Sequence, residues 1–119
     1  MPSQIPSPKE VKGRKKNTAE RRGAVRIPCF QECLVWPEGA SQVGAWSGMV
    51  YNISTHGVGL ALAYPIQEGT ILVIEPWGRK AVHSVRARVV RTSREAFVWF
   101  YGCELTNPLS DEEVQTWKK

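Results

Sequence analysis

The sequence has no His-Glu-x-x-His, no Gly-x-Ser-x-Gly elbow and no glycine-rich phosphate loop followed by lysine. Those absences remove the short patterns by which zinc hydrolases, serine hydrolases and nucleoside triphosphatases are recognised. Histidine occurs twice, His56 and His83, with no acid or nucleophile pattern beside either. The chain is therefore read as a binding protein and not an enzyme. Cysteine is scarce and odd in number: Cys29, Cys33 and Cys103 are scattered within apolar stretches. That excludes a disulfide framework and predicts reduced thiols packed in a core. Cys29 and Cys33 fall on one face of a strand, which suits packing, so no metal or other cofactor is expected. No apolar run is long enough to cross a bilayer, and Met1 to Asn17 has none of the kind a secretory signal needs. A cytoplasmic protein is expected, and Asn52-Ile53-Ser54 is discounted as a glycosylation acceptor.

At 119 residues the chain has room for one compact core but not for two ordinary domains. Its formal net charge of +5 is unevenly spread. Met1 to Arg26 carries eight basic residues against Glu10 and Glu20, net +6, which leaves the remainder at −1. A basic arm on a near-neutral body implies an anionic partner met by the arm.

Residues 1–18, with Pro2, Pro6, Pro8 and a lysine-rich run, read as a flexible, disordered basic arm. Residues 19–119 read as one domain. Strands are predicted at 27–36, 45–53, 57–62, 70–75, 81–92 and 96–105, from β-branched and aromatic residues bounded by Gly, Pro and Asn signals. Strict alternation in the second strand puts Trp46, Gly48, Val50 and Asn52 on one face. After Pro108, Ser110 and Glu113 form a capping-box pattern for a short helix that Val114 and Trp117 can dock. About six strands and a closing helix predict a closed or nearly closed antiparallel barrel. The five tryptophans are expected in its core and rim and not as a stacking platform.

Two clusters carry the chemistry. Arg21-Arg22-Gly23-Ala24-Val25-Arg26 offers three guanidinium groups, two of them spaced Arg-x-x-x-Arg. Such forks suit phosphate oxygens and the O6/N7 edge of guanine. Asn52-Ile53-Ser54-Thr55-His56-Gly57 offers Asn-x-Ser-x-x-Gly. The Asn52 carbonyl can accept from a guanine edge, Ser54 can donate, and Gly57 lets the chain turn and a ligand approach the backbone. Together they point to a ligand with guanine and phosphate.

This pair of motifs, in this order, resembles the PilZ family, whose members bind the bacterial second messenger cyclic di-GMP. The resemblance runs from Glu20 to about Trp117. It implies a six-stranded antiparallel β-barrel, usually with a C-terminal helix, and a ligand held outside the barrel and wrapped by the arginine arm. Arg22 and Arg26 fall on the family's Arg-x-x-x-Arg, with Arg21 as a further cation. Asn52, Ser54 and Gly57 fall on its (Asp/Asn)-x-Ser-x-x-Gly, with Asn where Asp is commoner. Arg91 matches a position that can touch a base. The resemblance implies a cyclic di-GMP receptor that relays the signal to a downstream protein partner. Two other readings are kept beside it: a nucleic-acid-binding barrel, against which the near-neutral body weighs, and a PilZ-like interaction module without ligand, against which the intact motifs weigh.

Overall fold

The computed structural model describes residues 25–118. The expected arm of residues 1–18, and with it Arg21 and Arg22, lies outside the described residues. Within them the elements are β1 (Ile27–Pro37), β2 (Trp46–Ile53), β3 (Gly57–Leu62), β4 (Ile71–Pro76), β5 (Val85–Glu95), β6 (Val98–Leu105) and helix α1 (Asp111–Lys118). The strands pair antiparallel in the order β1-β2-β3-β6-β5-β4, and β4 returns to β1 to close the barrel. The chain thus has the six-stranded barrel and C-terminal helix that its residues predict.

Period-two patterning explains the inside. Val58, Leu60 and Leu62 of β3 are buried, as are Val85, Ala87 and Val89 of β5 and Tyr101, Cys103 and Leu105 of β6. Burying a side chain such as Leu60 stabilises by about 1.5–3 kcal/mol. The alternate positions, Gly57 and Gly59, Arg86 and Arg88, Gly102 and Glu104, are left for the outer face. All three cysteines are free and buried, and burial pushes the Cys33 and Cys103 thiols up to about 12. Trp117 is buried, Trp46 and Trp99 pack on the core, and Trp77 is exposed in the turn after β4.

The β5 boundaries differ from those expected. The strand begins at Val85 because Val82 N donates to Arg79 O in a turn. It runs on to Glu95 because Thr92 to Glu95 pair with Tyr101 to Val98. Ala96 and Phe97 close that hairpin, with Ala96 at φ 54°, the left-handed region that non-glycine residues rarely adopt. The connection from β1 to β2 is pinned by Gln42 Nε2 donating to Glu75 Oε1 at 2.7 Å.

Helix α1 starts on a reciprocal capping box. Glu113 N donates to Ser110 Oγ at 3.0 Å, and Ser110 N donates to Glu113 Oε1 at 2.8 Å. Val114 and Trp117 are the buried face. Arg79 closes the far end by donating to the Thr116 and Trp117 carbonyls.

Candidate functional site

The turn between β2 and β3 is built by Ser54. Ser54 N donates to Gly57 O at 2.8 Å. The Ser54 hydroxyl oxygen accepts from Gly57 N at 3.0 Å and from His56 N at 3.3 Å. The side chain is 1% exposed. Its hydroxyl is used inside the turn, which fixes where Asn52 and Gly57 stand.

Asn52 reaches the outer face by a β-bulge. The register between β2 and β3 shifts between Val50 and Asn52, so that Val50 pairs with Leu60 and Asn52 with Gly59. A bulge puts an extra residue on one strand and re-aims its side chains. Val50 stays buried in the core, while Tyr51 and Asn52 both lie over Gly59. A Cβ on Gly59 would come within 2.6 Å of Asn52 Oδ1 and 2.7 Å of Tyr51 Cζ. Strict alternation, which groups Asn52 with Val50, fails here for that reason.

A second bulge stands opposite. The register between β5 and β6 shifts between Val89 and Arg91, and Arg91 pairs with Gly102. Gly102 pairs in turn with Gly59. One transverse row thus crosses four neighbouring strands: Asn52, Gly59, Gly102, Arg91. With strands about 4.8 Å apart, the row spans about 14 Å. Its ends carry an amide and a guanidinium, and its two middle positions carry no side chain. Strand-interior glycines cost stability and often mark close approach of another group.

Arg26 enters from the start of β1 and lies against the Asn52 end. Its Nη1 donates to Asn52 Oδ1 at 2.8 Å. A guanidinium has no acceptor, so the amide must present its oxygen. A Cβ on Gly57 would stand 2.9 Å from Arg26 Nη2 and 3.0 Å from Cys103 O. Gly57 therefore makes room for the guanidinium of this chain itself, a role the motif spacing does not disclose. The Arg26 charge acts on Cys103 against the larger effect of burial.

A recess of about 440 Å³ opens over the Gly102 and Arg91 half of this row, lined by Arg26, Tyr51, Arg91, Thr92, Ser93, Phe100 and Gly102. The structure so brings together Arg26, Asn52, Gly57 and Arg91 on one outer face. Arg21 and Arg22 fall outside the described residues. Arg86 and Arg88, also outward on β5, carry carboxylate partners: Arg86 Nε lies 2.9 Å from Glu38 and Arg88 Nη1 3.6 Å from Glu104. Among the described residues neither Arg26 nor Arg91 has such a partner, so two cationic groups are available to an anion. Tyr51, Phe100, Gly59 and Gly102 are not singled out by sequence reasoning. Outward glycines in two strands were the available signal, but their alignment depends on long-range register.

The family model for the PilZ domain matches residues 20–118. Comparison with curated protein sequences gives no match. Among solved structures, the inhibitor of motility MotI/DgrA of Bacillus subtilis is similar at 20% identity and TM-score 0.59, over 82% of this chain and 47% of that one. The PilZ domain of YcgR from Escherichia coli, solved with cyclic di-GMP, is similar at 20% identity and TM-score 0.61, over 82% of this chain and 86% of that one. Of YcgR solved as a longer chain with cyclic di-GMP, 42% is covered, at 18% identity and TM-score 0.55. This chain thus spans less than half of two of these three proteins.

Proposed function

Because the chain belongs to the PilZ domain family, we propose that it is a receptor for cyclic di-GMP which passes the binding event to a partner protein in the cytoplasm. The observation that carries this reading is the transverse row. Arg26 and Asn52 stand at one end and Arg91 at the other, across a floor of two glycines. A cyclic dinucleotide presents two phosphates and two guanines. Arginine forks suit the phosphate oxygens and the guanine O6/N7 edge. The Asn52 oxygen has a second lone pair beside the one that Arg26 takes, and it can accept from guanine N1–H or N2–H. Arg22 precedes Arg26 by four residues in the sequence. With Arg21, it adds cations for the phosphates. Among the described residues the recess lining holds guanidinium, hydroxyl and aromatic groups, which suit binding of a nucleotide.

Titration calorimetry with cyclic di-GMP tests this, with GTP and a short single-stranded oligonucleotide as controls. Saturable binding of the cyclic dinucleotide alone is expected. Equal binding of the oligonucleotide, lost as salt rises, would favour a nucleic-acid surface instead.

A further inference from the structure

The motif residues supply charge, hydrogen bonds and guanidinium planes to the proposed ligand but no aromatic surface for the faces of its bases. Two rings outside both motifs line the same recess. Tyr51 is brought to the outer face by the β2 bulge, and its ring crosses directly over Gly59, whose Cβ would stand 2.7 Å from Tyr51 Cζ. Phe100 lies on β6, two residues before Gly102, and therefore on the same outer face. The two rings meet edge to face, with centroids 5.7 Å apart and planes at 80°. Both are partly buried and both line the recess with Arg26 and Arg91. The tryptophans, the obvious stacking residues by composition, are not part of that lining.

From this placement we infer that Tyr51 and Phe100 form a base-stacking wall, and that they set the preference of the site for a ligand with a purine face. The inference rests on the receptor reading above. Gly102, which lines the recess without a side chain, lets a flat group lie close to the sheet. Because the ring planes are nearly perpendicular, one ring can stack on the base while the other meets an edge, and an arginine can cover the opposite face. Tyr51 is held in place without a hydroxyl partner among the described residues, so the ring is what it offers. The competing role is structural: the rings would only cover the outer sheet around Gly59.

The test uses Tyr51→Leu, Phe100→Leu, Tyr51→Phe and Tyr51→Trp in the full chain, each titrated with cyclic di-GMP while the purine absorbance band is followed. Aromatic stacking predicts that the leucine variants bind between about five- and a hundredfold more weakly and lose the drop in purine absorbance seen with the wild type. The phenylalanine and tryptophan variants should keep both. Thermal midpoints identify any leucine variant that is merely unstable, and the tryptophan variant still decides by its absorbance change. If wild type and all variants bind alike with the same spectrum, while Arg26→Ala binds weakly, the wall is overturned and the receptor reading stands. If wild type does not bind cyclic di-GMP at all, both fall.

Discussion

Arg26 and Asn52, from motifs that lie 26 residues apart, are hydrogen-bonded to each other at 2.8 Å. The contact assembles a donor and an acceptor side by side before any ligand contact is considered. It also means that a ligand drawing on the Asn52 oxygen must share it with Arg26 or displace the guanidinium. An exposed contact of this kind adds little to folding, about 0–1 kcal/mol, so its interest is positional.

Arg26 and Ser54 should therefore separate cleanly in experiment. Arg26→Ala is expected to weaken cyclic di-GMP binding by about 2–4 kcal/mol through loss of charge-assisted contacts. Its thermal midpoint should be nearly unchanged. Ser54→Ala leaves the buried Gly57 N–H and the part-buried His56 N–H without that acceptor, at about 1–3 kcal/mol of stability. Calorimetric titration and thermal melts of both variants make the comparison. A stable Ser54→Ala protein with weakened binding would return Ser54 to the ligand surface.

The glycine floor gives a graded series. Gly59→Ala brings a methyl within 2.8 Å of Asn52 Oδ1 and the Tyr51 ring, so both must shift. Affinity should fall on the order of tenfold, about 1.4 kcal/mol. Gly102→Ala meets only Arg91 atoms at 3.4 Å or more, an ordinary contact, so the smaller loss of affinity expected here reports only the methyl that enters the recess. Equal effects of the two substitutions would remove close approach over Gly59 as the reason for that glycine.

Burial of the thiols makes stability depend on alkaline pH. Cys33 and Cys103 rise from 9.0 to about 12 because burial disfavours the thiolate. Above pH 9 the unfolded chain loses these protons while the folded chain keeps them. The stabilisation is thus complete below pH 9 and is lost progressively toward pH 12. The buried Tyr101 phenol shifts in the same direction. Thermal midpoints measured from pH 7 to 11 should fall above pH 9, with a shallower slope in Cys103→Ala. A thiol reagent at pH 8 should leave the folded protein unmodified.

The strands of the barrel were legible in the sequence because Val58-Leu60-Leu62 and Val85-Ala87-Val89 alternate cleanly, and the helix because Ser110 and Glu113 cap it. The two bulges were not legible. A bulge is one extra residue against a partner strand, and nothing in Val50-Tyr51-Asn52 alone tells that Tyr51 and Asn52 share a face. The row from Asn52 to Arg91 needs three registers at once, so Gly59 and Gly102 read as mere small residues. Ser54 was legible as a ligand contact, whereas its burial inside the turn shows only in the fold. Arg21 and Arg22 keep the part that sequence alone assigns them.

Base discrimination is the most direct measurement of the central claim, that Asn52 and Arg26 read a guanine edge. Cyclic di-AMP carries an amino group where guanine has O6, and it lacks the N1–H and N2–H donors that Asn52 would accept from. A polar site left unpaired discriminates by several kcal/mol as an order of magnitude. Competition titrations of wild type, Asn52→Ala and Asn52→Asp with the two dinucleotides should show tight binding of cyclic di-GMP and little of cyclic di-AMP. The gap should narrow in Asn52→Ala and persist in Asn52→Asp, whose carboxylate is also an acceptor. Comparable affinity of the wild type for both dinucleotides would contradict the claim and leave a site that reads phosphate alone.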